Sequence, residues 1–97
     1  MRDPAMALVR ALARRAPGFE LDEVRSVDWA SATFTGWRHV VRCSVVATDD
    51  TDAWTAALAE EDIPLPGCVL ADLRLVSSDR GGERRRLTLE ALTVVSC

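Results

Sequence analysis

The feature that most constrains this chain is the run over residues 31–46, SATFTGWRHVVRCSVV. From Trp37 onward the odd positions are Trp37, His39, Val41, Cys43, Val45 and Ala47, and the even positions are Arg38, Val40, Arg42, Ser44 and Val46. Successive side chains of a strand point to opposite faces, so this alternation predicts a strand with the odd set on a core and the even set turned out. The valines fit a pleated surface better than a helix, where branching at Cβ restricts χ1. Thr35-Gly36 is the predicted reversal, because glycine reaches positive φ without steric cost. The run therefore reads as a hairpin over residues 24–46 turning near Gly36, with Ala30, Ser31 and Ala32 marking a bulge in its first arm.

The remaining segments supply what that strand must pack against. Asp3-Pro4 reads as an N-cap followed by proline at the first helical position. Ala5, Leu8, Val9, Leu12 and Ala16 then recur at helical spacing, with Arg10 and Arg14 turned away. Arg14 and Arg15 suit the negative end of the helix dipole, and Pro17-Gly18 stops the helix. Residues 19–29 read as a strand. Thr48, Asp49, Asp50 and Asp52 open a second helix, with Trp54, Ala57 and Leu58 as its buried stripe. Glu60, Glu61 and Asp62 oppose the dipole at its far end, and Pro64 and Pro66-Gly67 terminate it. Val69, Ala71, Leu73 and Leu75 alternate through a third strand, residues 77–83 (SSDRGGE) read as a hairpin loop, and Leu87, Leu89, Ala91, Thr93 and Val95 form the last strand.

The predicted order is α-β-β-α-β-β. An offset of 49 residues lays Pro17-Gly18 on Pro66-Gly67, Leu21 on Leu70, Arg25 on Arg74 and Val27 on Val76, which reads as an internal αββ duplication. Each helix has one apolar stripe and each hairpin one apolar face. A two-layer α+β sandwich, with both helices on one side of a four-stranded antiparallel sheet, buries them all. The 97 residues make a single α+β domain, large enough for one core without disulfide staples.

Composition excludes more than it assigns. No apolar run approaches the roughly 20 residues a membrane span needs. Arg10 interrupts the N-terminal apolar stretch, against a signal peptide, and the arginine-rich first 18 residues read as a structural helix rather than a targeting leader. The net charge of −3 divides unevenly: residues 1–48 carry 7 Arg against 5 acids, residues 49–97 carry 5 Arg against 10. That balance disfavours binding nucleic acid by general phosphate attraction. Lysine, asparagine, glutamine and tyrosine are absent and there is one isoleucine; the missing Lys, Asn and Tyr and the scarce Ile form a pattern of GC-rich coding that makes the arginine content a poor sign of anion recognition. Cys43, Cys68 and Cys97 are odd in number and widely spaced, as free thiols in a reducing bacterial cytoplasm would be.

No catalytic motif is present, and the reading leans against an enzyme. Without lysine there is no P-loop and no Schiff-base lysine, and neither GxGxxG nor GxSxG occurs. His39 and Cys43 share a strand face, but four residues at about 3.3 Å each separate them too far for one zinc ion. The acidic run from Asp49 places Glu60 where an EF-hand needs its twelfth residue, but Trp54 stands where that loop needs glycine. No cofactor is called for. His39, the single histidine, reads as a core-edge residue hydrogen-bonded to a neighbour. An enzymatic role for His39 would draw on nearby Arg38 and Thr35. Arg38 and Arg42 are placed on the outer sheet face, joined by Arg74, Arg86, Asp72 and Glu90. Opposite charges across strands stabilise a sheet by about 0.2–1 kcal/mol per pair. Arg84, Arg85 and Arg86 sit beside a Gly-Gly loop, where phosphate or an acidic partner would be in reach. The candidate binding set is thus Arg38, His39, Arg42, Arg74, Arg84, Arg85 and Arg86, although the face lacks the exposed aromatic pair on which RNA-binding sheets stack bases.

The segment DWASATFTGWRH, residues 28–39, resembles a pattern found in small bacterial proteins with a domain of unknown function. The resemblance implies a bacterial cytoplasmic origin and no particular activity. The leading expectation is a non-enzymatic module that binds a protein partner or a second copy of itself, through an outer face bearing Val40, Val46, Leu70, Leu92 and Val94. The alternative is nucleic-acid or phosphate-ligand binding through the arginines. A membrane partner is not expected.

Overall fold

The computed structural model describes residues 3–79 and 82–95. Their order is α1 (Pro4–Arg15), β1 (Glu20–Ala30), β2 (Thr35–Val46), α2 (Asp49–Ala56), a single 3₁₀ turn over Leu58–Glu60, β3 (Cys68–Asp79) and β4 (Arg84–Val95). The four strands form one antiparallel sheet in the order β1-β2-β4-β3. This is the α+β arrangement that the alternating patterns predict.

The start and stop signals of α1 act as read. The Asp3 carboxylate accepts the Ala5 N–H at 3.0 Å, satisfying one of the donors that a helix start leaves open. Ala5, Leu8, Val9, Ala11 and Leu12 are buried, and Arg14 and Arg15 occupy the last turn. Gly18 then takes a φ of +64°, and the Pro17 carbonyl accepts the Val46 N–H at 3.1 Å, which pins the end of α1 to the end of β2.

In β2 the odd residues His39, Val41, Cys43 and Val45 are buried, whereas Arg38, Arg42 and Val46 are exposed. Val41, Cys43 and Val45 join Leu8, Leu12, Leu87, Leu89 and Leu73 in the core between sheet and helices. Burying a leucine or valine side chain stabilises the fold by about 1.5–3 kcal/mol. Among the described residues the opposite face of the sheet carries no helix.

Four local expectations need correction. The hairpin turns at Ser31–Phe34, not at Gly36: the Ser31 N–H donates to the Phe34 carbonyl at 2.8 Å, and Ser31 Oγ accepts the Phe34 N–H at 3.1 Å. Gly36 lies inside β2 and does not adopt positive φ. Glycine stands there because β2 and β4 approach closely: a Cβ would overlap the Thr93 carbonyl oxygen and lie 2.9 Å from Val94 Cα. The bulge in β1 falls between Leu21 and Glu23, not at residues 30–32. β3 runs on to Asp79, so the predicted loop at 77–83 is shorter than its composition implied, and its residues 80 and 81 lie outside the described ones.

The fourth correction concerns α2, which ends at Ala56. Thr48 Oγ1 accepts the Thr51 N–H at 3.2 Å, and Asp49, Asp50 and Asp52 fill the first turn as predicted. With no basic residue in its last turn the dipole is uncompensated, and the chain tightens into the 3₁₀ turn. Thr51 and Leu58 are buried and Trp54 packs against the core, but Ala57 is exposed. Leu58 thus reaches the core from the 3₁₀ turn rather than from α2.

The two halves repeat in geometry. β1 has its bulge between Leu21 and Glu23 and β3 between Leu70 and Asp72, at the offset of 49 that aligns the sequences. Gly18 and Gly67, each after a proline, take φ of +64° and +76°. A second bulge in β3, between Leu75 and Ser77, shifts the offset to 50, so that Leu21 pairs with Cys43 as Leu70 pairs with Thr93. β2 and β4, the second strand of each half, meet antiparallel at the sheet centre, as a twofold relation between the halves requires.

Candidate interaction surface

Register and alternation define the helix-free face row by row. One end reads Trp29, Gly36, Val94 and Val69 from β1 to β3, and the next row reads Val27, Arg38, Leu92 and Asp72. Beyond these come Arg25, Val40, Glu90 and Arg74, then Glu23, Arg42, Thr88 and Ser77. The face is apolar at the hairpin end and charged elsewhere. Val27 is 67% exposed and Val69 54%, large values for valines in strands. A cleft of about 390 Å³ lined by Trp29, Trp37 and Val95 opens at the same end.

The predicted arginines fall into three environments. Arg38, Arg42, Arg74 and Arg86 are exposed on the helix-free face. Arg74 pairs with Glu90 at 2.7 Å across β3 and β4, a hydrogen bond that, with the carboxylate charge, raises the guanidinium pKa further. Glu23 lies 3.1 Å from Arg25 and 3.7 Å from Arg42. The run Arg84, Arg85, Arg86 is not a loop but the first three residues of β4, so its side chains alternate. Arg84 donates to Ser44 Oγ at 3.1 Å and to the Gly18 carbonyl, and pairs with Glu20 at 3.5 Å. Arg85 turns to the helix side and pairs with Asp52 of α2 at 3.2 Å, tying that short helix to β4. The solvent-exposed pairs among these contribute little, because water and salt screen them. Among the described residues Arg38 and Arg86 form no ion pair.

His39 stands apart from all of these, fully buried on the helix side. Its Nδ1 lies 2.6 Å from Ser26 Oγ and its Nε2 2.8 Å from Thr93 Oγ1. Burial lowers its pKa below the ordinary value, against a smaller opposing pull from Asp3, so the ring is neutral at pH 7. A neutral imidazole donates with one nitrogen and accepts with the other, and this one bridges β1, β2 and β4. The hydrogen-bonded core-edge histidine is as read. Its partners Ser26 and Thr93 carry no local signal beyond Thr93 being a polar residue at an inward position. Arg38 points to the opposite face, so it does not converge with His39 on a common site.

Cys43 and Cys68 are free and buried. Burial, with a smaller effect from the Asp22 charge, pushes the Cys43 thiol up to about 12, and burial also raises Cys68. Cys97 lies outside the described residues. No group of three or more metal-ligating side chains occurs among the described residues, and no helix there is long and apolar enough to cross a membrane. No protein-family model, curated protein or solved structure matches the chain.

Proposed function

We propose that this chain is a non-enzymatic interaction module whose partner is a second copy of itself, engaged through the side and edge of the sheet that the helices leave bare. The observation that carries this reading is the apolar end of that face, where Trp29, Val94 and exposed Val69 share one row and exposed Val27 stands next to Trp29 in the row beyond. Contiguous apolar surface of this kind marks association sites more often than free surface. The charges favour a like partner. Arg25, Arg38, Arg42, Arg74, Arg84 and Arg86 share the face with Glu20, Glu23, Asp72, Asp79 and Glu90, a near balance that another copy can complement. A bacterial cytoplasmic setting, implied by the segment at residues 28–39 and compatible with buried free thiols, fits this role.

The phosphate-binding alternative is weaker on the same geometry. Arg42, Arg74 and Arg84 already face carboxylates, and Arg85 is drawn to the other side. A phosphate ligand would have to displace those pairs on a protein of net charge −3. Sedimentation equilibrium over a wide concentration range tests the proposal. A mass rising toward twice 10.6 kDa supports it, and a constant 10.6 kDa overturns it.

A further inference from the structure

We infer that two copies of this chain join along β1, pairing antiparallel over Val24 to Ala30 with Val27 on the twofold axis. This rests on the proposed self-association and specifies its contact. β1 and β3 are the two edges of the sheet, and they differ in how they are blunted. β3 is broken by two bulges in 12 residues, and Leu65 bridges to Cys68 at its start. β1 has one bulge, at its beginning, and is regular from Glu23 to Ala30. Bulges and short edges are two of the devices that prevent edge pairing, and β1 has neither between Glu23 and Ala30.

The backbone groups available on that edge follow from the hairpin. The Ser31 N–H donates across to Phe34, so the alternating odd residues of β1 bond to β2. The N–H and C=O groups of Val24, Ser26, Asp28 and Ala30 therefore line the open edge. A twofold axis normal to the sheet must pass through a residue, because a half-residue shift would set one copy's outer side chains against the other's inner ones. Centring on Arg25 or on Asp28 opposes like charges. Centring on Ser26 sets Asp28 against the partner's Val24. Centring on Val27 matches every outward backbone group, Ser26 with the partner's Asp28 and Val24 with the partner's Ala30. It also sets the Arg25 guanidinium opposite the partner's Trp29, an attractive cation–ring pair, and covers Val27 with its own copy. Val27 is also the midpoint of the stretch from Val24 to Ala30, so this register uses all of those edge groups. The product is a continuous eight-stranded sheet.

The test is disulfide trapping in full-length protein carrying Cys97→Ser. Val27 on the axis is a non-hydrogen-bonded pair with Cα atoms about 4.5 Å apart, within disulfide range. Val27→Cys is expected to cross-link as a dimer under mild oxidation, and Val69→Cys, on the other edge, is expected not to. Asp28→Pro removes one outward N–H that β2 does not use, and Val27→Lys puts two like charges on the axis. Each is expected to stay folded and to weaken dimerisation at least about 100-fold. A wild-type dimer in which Val69→Cys traps and Val27→Cys does not, or a folded Asp28→Pro variant that still dimerises, overturns the β1 contact while leaving self-association standing. A wild-type monomer at every concentration overturns both.

Discussion

Asp22 in β1 and Ala71 in β3 are each the extra residue of a β-bulge, and they stand 49 residues apart. Each bulge follows a Pro-Gly pair whose glycine has positive φ, so the chain enters both edge strands by the same path. The bulge sits between Leu21, on the helix side of the sheet opposite Cys43, and Glu23, on the other face. Removing its extra residue leaves the alternation on both sides intact, whereas removing a residue from the regular part flips one arm of the strand. Deletion of Asp22 is therefore expected to leave a cooperatively folding protein, and deletion of Arg25 to abolish cooperative unfolding. Thermal melts followed by circular dichroism check both. Equal outcomes for the two deletions would contradict the assigned register.

Gly36 and Gly67 are required for different reasons, and substitution separates them. A methyl at Gly36 collides with the backbone of Thr93 and Val94, and no flexible side chain can yield. A methyl at Gly67 meets nothing within 4 Å, but the residue has a φ of +76°. Gly36→Ala is expected to cost ~3 kcal/mol or more, at the upper end of overpacking penalties. Gly67→Ala is expected to cost ~1 kcal/mol, the penalty of a left-handed residue with a Cβ. Urea unfolding of the two variants gives the comparison, and a larger loss at Gly67 would contradict the close approach of β2 and β4.

The buried neutral His39 makes stability depend on pH below the ordinary histidine range. Its folded pKa lies below the 6.5 of the unfolded chain, so between the two values the unfolded state binds more protons. The stabilisation is complete above pH 6.5 and is lost as pH falls through the folded pKa. The slope is at most about 1.4 kcal/mol per pH unit for one proton. Unfolding free energies of wild type and His39→Gln are expected to converge as pH falls below 6.5. Parallel profiles would contradict the burial of a neutral ring between Ser26 and Thr93.

The thiols predict a labelling pattern. With Cys43 pushed up to about 12, its thiolate fraction at pH 8 is about one in ten thousand, and burial also holds Cys68 protonated. In a Cys97→Ser background the native protein is expected to resist a thiol-specific reagent, and both cysteines to react once urea unfolds it. Rapid labelling of the native form would contradict the core placement of Cys43.

How much of this was legible from residues alone depends on whether the information is local. The alternation through Val41, Cys43 and Val45, the cap at Asp3 and the stop at Pro17-Gly18 are written in neighbouring residues, and the fold follows from them. Gly36 reads as a turn because glycine signals either positive φ or a close backbone approach, and only the pairing with β4 distinguishes them. Ser26 and Thr93 are 13 and 54 residues from His39, so their contact depends on strand register that no local pattern encodes. Arg84, Arg85 and Arg86 resembled a charged loop, yet pairing with Val46, Val45 and Ser44 makes them strand and sends Arg85 to Asp52. The open face is legible as an alternating set in β2 and β4. At the start of β3 the reading fails: the bulge at Ala71 reverses the alternation, so Val69, expected to face in, lies on the open face, and Leu70, expected to face out, packs against the core.

The claim that the sheet continues into a second copy is tested most directly by amide hydrogen exchange along β1. In a free monomer the amides of Val24, Ser26, Asp28 and Ala30 point to solvent and exchange quickly, while those of Arg25, Val27 and Trp29 are held by β2. The first group is expected to become protected as protein concentration rises and to lose that protection on dilution. Fast exchange of those four amides at every concentration, with the β2-bonded set still protected, would contradict it.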